Sequence, residues 1–366
     1  MKDSGLQAKI DYKLNNDMLS KQELINMQRQ YTAIRAIEPL ITKDMENLSV
    51  KFNTNFTGLE YSVKTANSLQ DKLQRLYQKK SVESVKLSQI QDIIRYTEIC
   101  NHDDISEVAK KTINELENNG YKLSSINNYF IHPYPGTQYR GLHLNFLSPY
   151  GQPIELQVHS QTSFDAKMEG HKLYEQARSV STPAKEKERL YLELQKIHSS
   201  FKNPKDIETI PNKIISPEER KEFLMSLEKV NIQMACNVDN KKDVSVLSYN
   251  VNKGSSQLLF GCEIHQSDNS VVDLKRFENN DNLHVSYIGK SGDVTLKEDI
   301  NCLEINSQIT KFSQNTASKL CQIGIKNEEI NKDWTQGTLK IDDNNKDFKA
   351  LSKSIFRQVE QIHEDR

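Results

Sequence analysis

Two short segments of alternating polarity, 139–147 and 153–159, are separated by the turn-forming residues 148–151. Because side chains along a β-strand alternate between two faces, each segment predicts a strand with one apolar and one polar face. The short turn, which contains proline and glycine, predicts that the strands pair as a hairpin. The polar face would carry Tyr139, His143, Asn145, Glu155, Gln157 and His159. Such a face is either a solvated sheet surface or a functional site.

The neighbouring elements indicate one sheet with helices packed on it. Residues 90–100 are rich in β-branched side chains and predict a further strand. Helices are predicted at 106–118, 163–178 and 183–201. Gly120 follows the first of them as a C-terminal cap. This order predicts an α+β (α/β-like) domain with a mixed β-sheet of about five strands flanked by helices.

Composition divides the chain into four parts. Residues 1–50 form an N-terminal helical segment, and 51–203 form the domain with the predicted sheet. The proline-containing segment 204–216 is interpreted as a linker. Residues 217–366 are interpreted as a second α+β domain of unknown role. Its elements are predicted as helices at 217–234, 305–323 and 347–363 and strands at 244–251, 257–265, 271–277 and 283–288.

Charge and composition exclude several classes of protein. The 366 residues include 49 Lys+Arg and 50 Asp+Glu, for a formal net charge of -1. This balance does not predict a broad nucleic-acid footprint, but it permits a local basic pocket for phosphates. The five cysteines are widely spaced, which favours free thiols in a reducing compartment. No apolar run predicts a membrane span or a signal peptide, so a soluble cytoplasmic protein without membrane contact is expected.

Asp92 lies within an otherwise apolar predicted strand. An ionised carboxylate in such a place is costly unless it is paired or bound to a metal. Asp92 and Glu155, on neighbouring strands, could bind one Mg²⁺, with a substrate phosphate completing the oxygen ligands. The alternative is an aspartate at the end of a strand, bonded to the backbone.

A predicted helix after Gly58 carries Lys64, Ser68 and Lys72 at intervals of four residues. This spacing places two ammonium groups and one hydroxyl on the same face of the helix. The arrangement suits a polyphosphate, although a solvated basic helix face has the same pattern.

Together these motifs resemble the RelA/SpoT-type nucleotidyl pyrophosphokinase domain of alarmone synthetases. The matching pieces, in order, are Lys-Thr-x-x-Ser-x-x-x-Lys-Leu at 64–73, Asp92, Tyr-Arg-Gly-Leu-His at 139–143, Ile-Glu-Leu-Gln-Val at 154–158 and Glu-Gly-His-Lys-Leu-Tyr at 169–174. They cover about a third of the chain. The order of five pieces is more specific than any one of them.

The resemblance implies Mg²⁺-dependent transfer of pyrophosphate from ATP to the ribose 3′-hydroxyl of a purine nucleotide, with AMP leaving. Asp92 and Glu155 would be the catalytic residues and the metal ligands. The ATP-binding residues would be Lys64, Ser68, Lys72 and Arg95. Tyr139 would stack on the acceptor base, and the rest of the acceptor pocket would be formed by Arg140, His143, Asn145, Gln157, Lys167 and His171.

The chain departs from the family pattern at two places. Thr97 occupies the position, five residues after the strand aspartate, where synthetases of this family usually have an arginine, and the nearest arginine is Arg95. The acceptor loop 134–138 has no lysine. By alternation along the strand, Arg95 is expected to point away from Asp92.

Several short sequence segments, including Glu-Leu-Gln-Val-His-Ser at 155–160, resemble the toxin-associated branch of this family. Members of that branch make adenosine alarmones or modify the 3′ end of tRNA. The alternatives are therefore pyrophosphorylation of tRNA and a catalytically inactive nucleotide- or protein-binding module. A toxin or effector role, delivery into another cell by a signal-peptide-independent route, and a protein partner for the C-terminal half are further expectations.

Overall fold

The computed structural model describes residues 21–301 except 65–67, 70–71, 74–75, 77–86, 88–89, 180, 240–243, 266–270, 279–281 and 289–293. The chain divides into two compact units. One comprises residues 1–40 and 228–366, and the other comprises residues 41–227. The predicted helices at 305–323 and 347–363 lie outside the described residues.

The described helices are α1 (Lys21–Phe52), α2 (Ile105–Asn118), α3 (Gln161–Arg178), α4 (Ala184–His198) and α5 (Pro217–Ser226). The strands of the unit 41–227 are β1 (Asn55–Thr57), β2 (Ile94–Cys100), β3 (Lys122–Asn128), β4 (Leu142–Leu147), β5 (Pro153–Ser160) and β6 (Lys213–Ile214). Described positions between 68 and 76 are also helical. None of the described helices is long and apolar enough to cross a membrane.

The six strands of the unit 41–227 form one mixed sheet in the order β1-β2-β5-β4-β3-β6. β2 and β5 are parallel, and every other neighbouring pair is antiparallel. The prediction of an α+β domain with a mixed sheet flanked by helices is confirmed. The sheet has six strands, against about five expected, and the short strands β1 and β6 lie at its two edges.

The hairpin predicted from polarity is formed by β4 and β5. Asn145 is paired with Glu155, and His143 with Gln157. Gly151 takes a left-handed conformation with φ +82° in the turn, which favours glycine. The apolar side chains of the hairpin are fully buried: Leu142, Leu144, Phe146, Ile154, Leu156 and Val158. This burial fixes the register, because a shift by one residue would expose all of them.

The segment 204–216, predicted as a linker, is part of the sheet-containing unit. Its β6 pairs with the edge strand β3. The Asn128 amide nitrogen Nδ2 donates to the carbonyl oxygens of Ile207 and Ile210, at 2.9 and 2.8 Å. The unit extends through α5 to residue 227, beyond the predicted boundary at 203.

The other unit contains an antiparallel sheet in the order β12-β11-β10-β9-β8-β7. Its strands are β7 (Val230–Asp239), β8 (Val244–Lys253), β9 (Ser256–His265), β10 (Val271–Phe277), β11 (Asn282–Ile288) and β12 (Val294–Asn301). The four strands predicted between 244 and 288 are confirmed. The helix predicted at 217–234 ends at Ser226 instead, and the β-branched residues that follow Leu227 begin β7.

Candidate active site

The polar face of the sheet brings the predicted site residues into register. Arg95 is paired with Glu155 across the parallel β2–β5 pair, and Asn145 lies on the other side of Glu155. Residues paired in register share a face, so Arg95 lies on the face that carries Glu155. The expectation that Arg95 points away from Asp92 assumed that both residues lie in one strand, and it does not apply because β2 begins at Ile94 and Asp92 lies in the preceding turn.

Asp92 is held by the two lysines that the helical spacing grouped together. Lys64 Nζ lies 2.9 Å from Asp92 Oδ2, and Lys72 Nζ donates to Asp92 Oδ1. Burial raises the pKa of Asp92, but the charges of Lys64 and Lys72 outweigh it and leave that pKa below its ordinary value. Ser68 is exposed and, like Lys72, lies at a helical position. Lys64 does not, because its backbone N–H donates to the carbonyl oxygen of Ile93 at 2.9 Å, so the prediction of one helix face for all three residues is wrong. The group places two cations beside Asp92.

Glu155 is largely buried, with 14% of its side chain exposed, and is held ionised by its neighbours. His143 Nδ1 lies 3.4 Å from Oε2, and Gln157 Nε2 donates to Oε1 at 2.5 Å. Burial alone would raise the pKa of Glu155. His143, the charge of Arg95 and the Gln157 amide more than offset it and hold that pKa well below its usual range.

Lys167 connects helix α3 to the same group of side chains. Its Nζ donates to Gln157 Oε1 at 2.5 Å and lies 5.4 Å from the centre of the Phe164 ring. Burial and the nearby charge of Arg95 lower the pKa of Lys167 to about 7, although Glu155 acts in the opposite direction. This cation therefore titrates near neutral pH.

The hydroxyl group of Tyr139 lies within hydrogen-bond distance of two histidines. Its oxygen lies 2.8 Å from His143 Nε2 and 3.0 Å from His159 Nε2. Gly141 makes room for this contact, since a Cβ at that position would lie 2.6 Å from the Tyr139 oxygen and 2.7 Å from His159 Cε1. His159 is fully buried. Sequence reasoning placed it on the polar face but gave it no role.

Three of the predicted acceptor residues have other contacts in the fold. Arg140 Nη1 donates to the carbonyl oxygen of Phe201 at 2.9 Å. Asn145 is 1% exposed, and its Nδ2 donates to Ser125 Oγ at 3.0 Å. His171 is 56% exposed and lies 3.9 Å from Glu175. Their direct contact with an acceptor stays a prediction.

Asp92 and Glu155 have the donor chemistry that Mg²⁺ requires. The two carboxylates are close enough for the charge of Glu155 to raise the pKa of Asp92. Mg²⁺ is usually bound through one or two carboxylates together with substrate phosphates. Within the described ranges no group of three or more His, Cys, Asp or Glu side chains could hold a metal by itself. The pair therefore fits a Mg²⁺ ion that arrives with a nucleotide.

No family model and no curated protein matches this chain. Among solved structures, it is similar to the type VI effector Tas1, solved in complex with its immunity protein, at 17% identity and a TM-score of 0.33, over 48% of this chain and 95% of that one. It is also similar to small alarmone synthetase 1 from Bacillus subtilis, at 18% identity and a TM-score of 0.37, over 48% and 90%. The same synthetase bound to its product pppGpp matches at 16% identity and a TM-score of 0.38, over 48% and 90%. By the order of its motifs and its mixed sheet, the unit 41–227 resembles a RelA/SpoT-type nucleotidyl pyrophosphokinase domain.

Proposed function

We propose that this chain transfers the β,γ-pyrophosphate of ATP to the ribose 3′-hydroxyl of a purine nucleotide and releases AMP. The observation that carries the proposal is the grouping of two carboxylates with several cations around one polar face. Asp92 is bonded to two lysines, and Glu155 lies beside Arg95 and His143. Phosphoryl transfer depends mainly on positioning and on neutralising the charge that develops, which such a group supplies.

Lys64, Lys72 and Arg95 form the donor side of the proposed site. In the ligand-free protein the two ammonium groups neutralise Asp92. Burial lowers the pKa of Lys64, and the charges of Arg95 and Lys72 lower it further against the opposing effect of Asp92, so an added anion would be favourable there. The ATP phosphates supply that anion. Asp92 and Glu155 would hold Mg²⁺, which neutralises phosphate charge and polarises the phosphoryl oxygens when bound.

Glu155 is the acceptor-side carboxylate. Its low pKa keeps it ionised at every physiological pH, so it can accept a hydrogen bond from the 3′-hydroxyl and orient the attacking oxygen. Lys167, close by through Gln157, offers a cation to the acceptor phosphates. The Tyr139 ring would stack on the base, a contact that does not distinguish strongly between bases.

The test is a transfer assay with γ-labelled ATP, Mg²⁺ and separate acceptors: GDP, GTP, ADP, AMP and bulk tRNA. We expect label in a purine nucleotide. Replacing Glu155 by glutamine should lower the rate by roughly 10²–10⁴-fold, since the orienting charge is lost. The matched control is Glu117→Gln on the exposed side of α2, which should retain the wild-type rate.

Each outcome of the assay has a defined meaning. Label only in tRNA would replace the nucleotide proposal by modification of the tRNA 3′ end. No label in any acceptor would favour an inactive binding module. For the proposed toxin role, expression of the wild-type chain should arrest growth and Glu155→Gln should not. Arrest by both would separate toxicity from the transfer reaction.

A further inference from the structure

We propose that His159 is a positioning residue that acts on Glu155 through the Tyr139 hydroxyl and His143. The proposal rests on the transfer function above and adds residues to the same site. His159 lies on β5, four residues after Glu155, and reaches the carboxylate through a chain of side-chain contacts. It would not touch the substrate.

The chain of contacts is continuous from the start of helix α3 to the carboxylate. Ser163 Oγ lies 2.9 Å from His159 Nδ1, and His159 Nε2 lies 3.0 Å from the Tyr139 oxygen. The Tyr139 oxygen lies 2.8 Å from His143 Nε2, and His143 Nδ1 faces Glu155 Oε2 at 3.4 Å. Every nitrogen of the two imidazole rings therefore has a partner.

The chemistry of the groups fixes the orientation of His143. An ionised carboxylate only accepts hydrogen bonds, so the hydrogen on His143 must be at Nδ1, facing Glu155. With that hydrogen at Nδ1, His143 Nε2 can accept from the Tyr139 hydroxyl, whose oxygen in turn can accept from His159 Nε2. The Ser163 hydroxyl has one hydrogen, which it can donate to His159 Nδ1 at 2.9 Å or to the carbonyl oxygen of Ser160 at 3.2 Å. From His159 Nε2 to the carboxylate, each donor then faces an acceptor.

Two residues of this series of hydrogen bonds lie in the protein interior. His159 is 0% exposed and Ser163 is 0% exposed. Burial, the largest cause, and the charge of Lys167 lower the pKa of His159 well below its ordinary value, so the ring is neutral. Ser163 is anchored in turn, because its Oγ accepts from the backbone N–H of Ser160 at 3.0 Å, at the start of α3. Hydrogen bonds in such a site are rigid and costly to leave unmade.

A double-mutant cycle tests the proposal. Tyr139→Phe removes one oxygen and keeps the ring, and His159→Leu removes the ring nitrogens. Each change should lower kcat about tenfold, with the KM values for ATP and acceptor within about twofold of wild type. The double variant should be no slower than the slower single variant, because His159 acts only through the hydroxyl. Multiplicative losses would overturn the proposal.

Two further variants separate positioning from packing. His159→Gln retains an amide that can reach the Tyr139 hydroxyl, and it should restore most of kcat. His198 also contacts the Tyr139 ring edge-on, at 5.4 Å between ring centroids, without a hydrogen bond to its hydroxyl among the described contacts. His198→Gln should therefore retain kcat. A loss of kcat equal to that of His159→Leu would show that packing around Tyr139, and not the series of hydrogen bonds, causes the effect.

A spectroscopic measurement keeps this inference separate from the proposed function. In ligand-free protein, ¹⁵N chemical shifts should show the hydrogen of His143 at Nδ1, and Tyr139→Phe should shift the Nε2 signal, because that nitrogen loses the hydroxyl group that faces it. An unchanged His143 would overturn the positioning role even if the enzyme is active. A shifted His143 in a protein without transfer activity would support the chain and contradict the proposed function alone. This readout also remains available if His159→Leu does not fold.

Discussion

Glu98 is a carboxylate in the core, on the face of β2 opposite Arg95. It is 0% exposed, and its oxygens accept hydrogen bonds from Thr54 Oγ1 at 2.8 Å and Thr112 Oγ1 at 3.3 Å. Burial raises the pKa of Glu98 to about 7, and the two hydroxyl groups offset this only in part. A buried group without a cationic partner favours its neutral form in this way.

We predict that the unfolding free energy falls as the pH rises from the ordinary pKa of a glutamate, 4.5, through the folded-state pKa of Glu98, about 7. The folded pKa is about 7 and the ordinary value is 4.5, so the folded state binds more protons between these values. Because proton binding is coupled to folding, this group lowers the free energy of unfolding by roughly 3 kcal/mol between pH 4 and pH 8. Glu98→Gln removes the titration.

Urea denaturation at pH 5 and pH 8 measures this effect. The difference in unfolding free energy between the two pH values should be smaller in Glu98→Gln than in wild type, and Glu98→Gln should be the more stable protein at pH 8. Glu117→Gln on the surface of α2 should follow wild type. Parallel pH dependence in Glu98→Gln and wild type would show that Glu98 is not the titrating group.

The pKa of Lys167 is lowered, whereas that of Glu98 is raised. The consequence for Lys167 concerns acceptor binding. With a pKa of about 7, it is a cation at pH 6 and mostly neutral at pH 8. We predict that this loss of charge weakens acceptor binding across that range, by up to about tenfold per pH unit above the pKa. Lys167→Arg keeps the charge and should flatten the dependence.

Calorimetric titration of the nucleotide at pH 6, 7 and 8 provides the measurement. The nucleotide phosphates gain negative charge over the same range, so the variant and wild type must be compared at each pH. Lys172→Arg, at an exposed position of the same helix, is the control and should keep the wild-type profile. A wild-type profile in Lys167→Arg would assign the dependence to another group.

At the scale of elements, the segment that follows α4 is hydrogen-bonded to the sheet through the side-chain amide of Asn128. Asn128 ends β3, and its Nδ2 donates to two carbonyl oxygens in the segment 207–210. Its backbone N–H also donates to Asn212 Oδ1 at 2.7 Å. Asn128 is 1% exposed, and Ile207 and Ile210 are buried as well. These bonds hold the segment against the sheet edge, where β6 pairs with β3.

Asn128→Ala is predicted to lower the unfolding free energy by about 2–4 kcal/mol, because two buried carbonyl oxygens lose their donor. Limited proteolysis should then cleave the segment 204–216 before the rest of the unit, and urea denaturation should give the loss in stability. Asn118→Ala, at an exposed position of α2, is the matched control. Resistance of 204–216 to cleavage in Asn128→Ala would mean that other contacts hold the segment.

The parts of this fold that the sequence predicts are those with local patterns. The hairpin β4–β5 follows from alternation and a turn, and α2 ends just before Gly120. The edge strands β1 and β6 have three and two residues, too few for any periodicity. Their pairing depends on contacts distant in sequence, so no local signal could identify them.

The same distinction applies to the candidate site. Glu155, His143 and Gln157 share a polar face that alternation predicts, and the structure places their side chains in contact. The place of Arg95 on that face depends on where β2 begins. The contact of His159 with Tyr139 depends on the space at Gly141, which no local pattern in the sequence indicates.

On the scale of the whole molecule, the site and its supports all lie within one compact unit. Every strand of the mixed sheet falls between residues 55 and 214, and the unit ends at residue 227. Helix α1 is shared, because its residues through Leu40 belong to the other unit. Met45 and Leu48, in its second part, are buried in the core. The unit 41–227 therefore includes buried apolar side chains from the second part of α1.

We predict that the isolated fragment 41–227 unfolds cooperatively and keeps kcat within about threefold of the full chain, as expected of an autonomous domain. The fragment 41–203, which ends at the boundary suggested by composition, should neither unfold cooperatively nor keep this kcat. It lacks β6, the carbonyl partners of Asn128 and the C-terminal helix α5. Thermal unfolding followed by circular dichroism and the labelled-ATP assay compare the two fragments directly. An active, stable 41–203 would return the segment 204–216 to the role of a linker, and an inactive but folded 41–227 would require the remaining chain to contribute to the site.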